Sequence, residues 1–178
     1  DDVLRKPYGL WVQPLADNRF RLFVTDSYDL PDQGVLPNEA LDERVKQWQF
    51  TVARDSNGAP VRIDSLFEKS FGDTTNAGAL RIVESIFGDP LHDRLLIAEE
   101  DKNPVTGLVI KVYDLAGRFT GATVGKGVFE AQAEGIALYA CADGTGYWLS
   151  TDQEKSRTVY HLFDRKTLQH VGAFTGEI

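Results

Sequence analysis

Basic residues are in short supply. Nineteen Lys and Arg stand against 27 Asp and Glu, leaving a formal charge of −8 over 178 residues. No basic run occurs, which argues against nonspecific nucleic-acid binding, because the counterion release behind such binding needs clustered Lys and Arg. A polyanionic partner would require help from a cation. Cys141 is the only cysteine, so an internal disulfide is excluded and the redox compartment cannot be read from thiols. Within IALYACA it reads as a small buried hydrophobe. His92, His161 and His170 show no ligand spacing, which argues against zinc or a redox metal. Methionine is absent, even at position 1, and DDVLRKPYG resembles neither a signal nor a transit peptide, so the chain is expected to be mature or excised. No apolar run approaches the roughly 18 residues of a membrane-spanning helix.

The sequence does contain a repeat. Hydrophobic residues make up 42% and aromatics 11%, the profile of a soluble globular unit. Three segments share one layout: KPYGLWVQP (6–14), RLFVTDS (21–27) and RVKQWQF (44–50); RIVESIFGD (81–89), RLLIAEE (94–100) and LVIKVYDL (108–115); QAEGIALYA (132–140), GYWLSTDQ (146–153) and TVYHLFDR (158–165). Each segment closes on a further apolar stretch: DSLFEKSFG, GRFTGATVG or QHVGAFTGE. These runs are short, rich in Val, Ile and aromatics, and separated by turn chemistry such as DSNG, LAG and ADGTG, so they read as strands. Four short strands recurring at about 40 to 50 residues are the pattern of β-propeller blades. The predicted fold is all-β, with about three four-stranded antiparallel blades over residues 6–78, 79–130 and 131–178, forming part of a ring expected to hold six. The stretch 28–44 reads as a long surface loop, with a helical turn at PNEALDERV. Propellers close with about four to eight blades. Unless another chain or missing sequence completes the ring, two apolar blade faces are left exposed, an area large enough to drive self-association through them.

The strand RLLIAEE runs into Glu99, Glu100 and Asp101, and something must offset that charge. Glu84 sits on the innermost strand of the second segment, Glu100 ends the next strand, and Glu134 takes in the third segment the place Glu84 holds in the second. The repeat thus brings three carboxylates toward one rim. Such a set must be protonated, paired with a base, or holding a hard cation. Calcium suits it best, since it takes about six to eight oxygen ligands in flexible geometry. Glu99 and Asp101 read as turn residues. A solvated strand-end glutamate is the bland alternative for each acid.

At these residues the chain resembles the β-propeller (alkaline, calcium-dependent) phytases. The resemblance is carried by VESI (83–86), IAEED (97–101), AEGIALYACADGTGYWLSTDQ (133–153) and VYHLFDR (159–165), in the family's order and approximate spacing. It covers about residues 80–174 well, and residues 1–79 less closely, where PYGLWV is similar to a family strand bearing a phosphate-facing Tyr. It implies calcium-dependent phosphomonoester hydrolysis, typically of inositol hexakisphosphate, at a calcium cluster. Carried over residue by residue, it makes Glu84, Glu100 and Glu134 calcium ligands, with Glu134 also the candidate catalytic residue, and Tyr8 a candidate contact to the phosphate substrate or to calcium. It further implies secretion or periplasmic residence. The family's lysine in VTGK falls on Ser27 here, so one cationic phosphate contact is missing, and Asp26 adds charge nearby.

Two other classes compete: a non-catalytic propeller module that binds a partner by its rim or its 28–44 loop, and a calcium-dependent lactonase-like propeller. IAEED and GTGYWLSTDQ favour phytase over lactonase. No G-x-S-x-G elbow occurs, and GATVGKG (121–127) lacks the phosphate-loop spacing. A triad of Ser150, His161 and Asp152 has no supporting pattern.

Overall fold

Twelve strands make up nearly all the regular structure in the computed structural model, which describes residues 3–29, 36–102, 107–153 and 157–176. They form three antiparallel sheets, each running in chain order. The first comprises β1 (Pro7–Pro14), β2 (Arg19–Asp26), β3 (Val45–Arg54) and β4 (Pro60–Phe71). The second comprises β5 (Val83–Asp89), β6 (Arg94–Glu99), β7 (Val109–Tyr113) and β8 (Phe119–Val124). The third comprises β9 (Ala133–Ala140), β10 (Gly146–Gln153), β11 (Thr158–Asp164) and β12 (His170–Gly176). Among the described residues, no helix is long and apolar enough to cross a membrane.

The first strands stack in order, β1 against β5 and β5 against β9, which makes the second sheet the filling between the other two. That position explains its sequence. LLIA in β6 and VIKVY in β7 are buried throughout, so both faces of each strand need apolar or paired residues and the usual alternation disappears. In β1, by contrast, Trp11 and Gln13 are buried while Tyr8, Leu10, Val12 and Pro14 are exposed.

Strand register gives every sheet two distinct faces. The leading face carries Leu10, Ile86 or Ile136, and the trailing face carries Trp11, Phe87 or Ala137. The trailing face of the first sheet, with Trp11 and Phe23, packs on the leading face of the second, with Ile86, Leu95 and Ile97. The trailing face of the second, with Leu96 and Ala98, packs on the leading face of the third, with Ile136, Trp148 and Phe163. Phe87 touches both neighbours, tilted to Trp11 at 6.1 Å and edge-on to Trp148 at 6.3 Å. Truncating an aromatic in such a core costs about 3 to 5 kcal/mol. The fit is tight enough to dictate a glycine: a Cβ at Gly88 would lie 2.2 Å from the Trp11 indole.

Buried charges join the layers. The Arg165 guanidinium donates from Nε and Nη2 to the Asp89 carboxylate at 2.8 and 2.7 Å, linking the third sheet to the second. Burial alone would raise the Asp89 pKa, but hydrogen bonds from Arg165 and His92 outweigh it and hold the carboxyl below its usual value. Fully buried Arg44 donates to the carbonyls of Leu80, Tyr28 and Arg81.

Several sequence expectations need correction. The 28–44 stretch is not simply a surface loop: Tyr28, Leu36 and Leu41 are buried with Ala79, although residues 30–35 lie outside the described residues. Its helical turn is a single 3-10 turn, Asn38–Ala40. Cys141 is partly exposed and begins the 141–145 turn of the β9–β10 hairpin rather than sitting in the core. β3 and β4 extend beyond the apolar stretches that announce them, with β4 exposed over most of its 12 residues.

Candidate functional site

At the same point in each sheet, the first strand carries one residue too many. Pro7 and Leu10 pair with Asp26 and Val24, Val83 and Ile86 with Glu99 and Ile97, and Ala133 and Ile136 with Asp152 and Ser150. In each case two residues face one, as in a β-bulge, which bends the strand and re-aims a side chain. The re-aimed residues are Tyr8, Glu84 and Glu134. Hydroxyls satisfy the displaced backbone: Thr25 Oγ1 accepts from Gly9 N, and Thr151 Oγ1 from Gly135 N, each at 2.8 Å. Hydroxyls also hold neighbouring sheets in register. Thr25 Oγ1 donates to the Glu84 carbonyl at 2.6 Å, and Ser85 Oγ accepts from Ile136 N at 3.1 Å. The strands come so close that a Cβ at Gly9 would sit 2.6 Å from the Glu84 carbonyl oxygen.

The second strands contribute two rows of residues. Asp26, Glu99 and Asp152 are equivalent and nearly sealed from solvent, and each carboxylate clamps the backbone entering its first strand. Asp26 accepts from Arg5 N and Lys6 N, the latter at 2.7 Å. Glu99 accepts from Arg81 N at 2.5 Å, Ile82 N at 2.9 Å and Asp101 N at 3.0 Å. Asp152 accepts from Glu130 N, Ala131 N and Gln132 N at 2.7 to 3.0 Å. Burial still pushes the Glu99 carboxyl above its ordinary value, although these amides and Lys111 oppose the shift. One position later come Ser27, Glu100 and Gln153.

The three acids of the 99–101 run therefore have separate fates. Glu99 is bound to backbone amides and is no turn residue. Asp101 approaches Arg81, Oδ2 to Nε, at 3.8 Å. Glu100 alone turns to the bulge residues, within hydrogen-bonding reach of both Glu84 and Glu134. Burial first, and then the charges of Glu84 and Glu134, push its pKa up to about 8. Burial and the Glu84 charge likewise raise Glu134. Tyr8 is pushed up to about 12, chiefly by its hydrogen bond to the Glu84 carboxylate. All four predicted site residues meet in one place.

Two glutamines that sequence reasoning passed over complete the group. Gln132 Nε2 donates to Glu100 Oε2 at 3.1 Å, and the Gln153 amide, turned as its surroundings require, donates to Glu134 Oε1 at 2.7 Å. Alignment of Ser27, Glu100 and Gln153 across the repeat was the available signal. Glu100 Oε1 is buried with no hydrogen-bond partner, an oxygen whose desolvation calls for a proton or a cation. Among the described residues, no three His, Cys, Asp or Glu side chains stand as a preformed metal-ligand group. The glutamates adjoin one another and the two amides, and carboxyls so close raise one another's pKa unless a cation lies between them.

Asp26 is spent on its clamp, its carboxylate accepting from Arg5 N and Lys6 N. The Ser150, His161 and Asp152 trio is also accounted for. Ser150 and His161 are cross-strand neighbours, but Ser150 is 1% exposed and the Asp152 carboxylate is committed to backbone amides. Compared with family models and with curated proteins, the chain matches none.

Proposed function

We propose that the three sheets are blades of a β-propeller, expected to be six-bladed when complete, and that their shared rim is a phytase-like calcium site. In this reading the protein hydrolyses phosphate monoesters, with inositol hexakisphosphate as the substrate. The observation that carries it is the meeting of Glu84, Glu100 and Glu134 beside Tyr8, with Glu100 Oε1 buried and unpartnered.

The donor set fits calcium in kind: carboxylate oxygens on three strand ends, with side-chain amides next to them. Glu84, Glu100 and Glu134 would hold the ion. Calcium bound there would neutralise phosphate oxygens and make nearby water more acidic. It would also reconcile a chain of charge −8 with a polyanionic substrate. The remaining work falls to the protein's own groups. Tyr8, 61% exposed, offers its hydroxyl to a phosphate oxygen once a cation relieves Glu84 of that hydrogen bond. Glu134, steadied by Gln153, is the candidate to take a proton from the attacking water. Thr25, Ser85 and Thr151 position the bulges rather than touch substrate.

Ser27, which replaces the family's lysine, leaves the rim short of one cationic contact. The alternative is therefore a calcium-binding module without turnover. Phosphate release from inositol hexakisphosphate in calcium, compared with EDTA, tests the choice. Activity that needs calcium and disappears in Glu134→Gln supports the hydrolase. Calcium binding without phosphate release assigns the module instead.

A further inference from the structure

The third strand of every sheet carries a buried base at the same point. Lys46, Lys111 and His161 pair with Val24, Ile97 and Ser150, which in turn face Leu10, Ile86 and Ile136 on the first strands. All three bases are buried. The two lysines spend their ammonium groups on defined acceptors: Lys46 Nζ donates to Glu43 Oε2 and Ser70 Oγ, each at 3.1 Å, and Lys111 Nζ donates to the Ala77 carbonyl at 2.6 Å. Lys111 also offsets the charge of Glu99, the clamp acid of its own sheet. In the third sheet the base is an imidazole, the side chain whose charge ordinarily changes between about pH 5 and 8.

His161 lies between two partners. Its Nδ1 is 3.2 Å from His170 Nε2 on β12, a distance at which one ring donates to the other. Its Nε2 is 3.7 Å from Asp152 Oδ2 on β10, the oxygen that accepts from Glu130 N at 2.7 Å. That nitrogen is buried without a hydrogen-bond partner, as is Ser150 Oγ on the strand opposite. Phe129 stands edge-on to the imidazole at 5.3 Å, and Phe163 tilts against it at 6.4 Å. Glu130 and Arg157 line, with His161 and Asp152, a recess of about 90 Å³, wide enough for water.

We propose that His161 is a proton-operated latch on the third clamp: neutral, it leaves Asp152 to the backbone amides of residues 130–132, and protonated, it draws Asp152 Oδ2 to its own Nε2–H and loosens that oxygen's hold on Glu130 N. A neutral ring has a single N–H and serves only one acceptor, whereas the protonated ring serves both, His170 from Nδ1 and Asp152 from Nε2. Burial, and after it the charge of His170, hold the imidazole below its ordinary value of 6.5, against the pull of Asp152 and Glu130, so the latch works on the acid side of neutrality. Its effect reaches the rim, because the clamped segment carries Gln132, the donor to Glu100, and Asp152 adjoins Gln153, the donor to Glu134. The inference holds whether or not the rim binds calcium or turns over substrate.

The test follows the full chain in EDTA by NMR from about pH 8 to about pH 4.5. The His161 ring proton and the Glu130 amide are expected to titrate with one shared midpoint below 6.5, the amide proton moving upfield as its hydrogen bond weakens. His161→Lys, which installs the base of the other two sheets, and His161→Gln should each abolish that step in the Glu130 amide, while His170→Gln should keep it. A Glu130 amide that stays still while His161 titrates overturns the latch, as does a step that survives in His161→Lys. Urea unfolding gives a second reading. The unfolded chain takes the proton first, so the wild type should lose stability relative to His161→Lys as pH falls below 6.5, by up to about tenfold in the folding constant per pH unit. Glu100 is common to both proteins and cancels from the difference, and an equal pH dependence in the two overturns the proposal.

Discussion

Glu99 and Glu100 are neighbours in sequence and opposites in circumstance. Glu99 closes a strand, is 1% exposed, and accepts three backbone N–H groups. Glu100 is 6% exposed, receives one amide from Gln132, and otherwise meets two more carboxyls. The first belongs to a row with Asp26 and Asp152 whose positions the backbone defines. The second belongs to a group of carboxyls that meet one another. Burial is similar, so what separates a structural acid from a chemically available one is the supply of donors.

The strongest challenge to that contrast removes a clamp. Asp152→Ala leaves three backbone donors without their acceptor, and we expect a loss of about 3 to 5 kcal/mol by urea unfolding. A loss below 1 kcal/mol would mean that the clamp row is not structural. The next challenge supplies the missing cation. Calcium at about a hundredfold excess over its Kd should stabilise the wild type by about 2.7 kcal/mol, a rise of roughly 5 to 10 °C in melting temperature that EDTA reverses. No change in either direction removes calcium from the site.

A smaller effect sharpens the comparison through pH. In calcium-free buffer, Glu100 is protonated in the folded state up to about pH 8 but ionises in the unfolded chain near its ordinary value of 4.5. Over that interval the folded state binds more protons, so stability falls as pH rises from about 4.5 to about 8. Glu100→Gln should flatten that slope and melt a few degrees higher at pH 8, a gain of about 2 to 4 °C for each kcal/mol relieved. A slope unchanged in the variant would place the titration elsewhere. Smallest of all, Tyr8→Phe should leave the melting temperature within about 2 °C. Ultraviolet titration should then lose a phenol that ionises near pH 12, and no loss in that range would separate Tyr8 from Glu84.

Much of this was legible beforehand, and the failures have physical causes. Strand identity followed from alternation in β1 and from apolar runs in β6 and β7, while the equivalence of Glu84 with Glu134 followed from the repeat. Glu99 was misread because a strand-end acid beside a turn looks the same whether it faces water or three amides. Only the path of residues 81–82 decides between them, and that path is tertiary. Arg44 and Leu41 made the 28–44 stretch look like a surface connection because they are buried by distant partners, Leu80 and Arg81 at 36 and 37 residues' separation for Arg44 and Ala79 for Leu41. Cys141 continues an apolar run that the hairpin interrupts. Gln132 and Gln153 passed unnoticed because an amide becomes informative only when a carboxylate is placed against it.

The extra residue in each first strand also bears on ancestry. A duplicated sheet inherits its own bulge and therefore delivers one new side chain to the opening without any change in the loops. In this chain that quota has been filled by a phenol once and a carboxylate twice, so point substitution at three codons can retune the opening's charge while the scaffold that aims it stays constant.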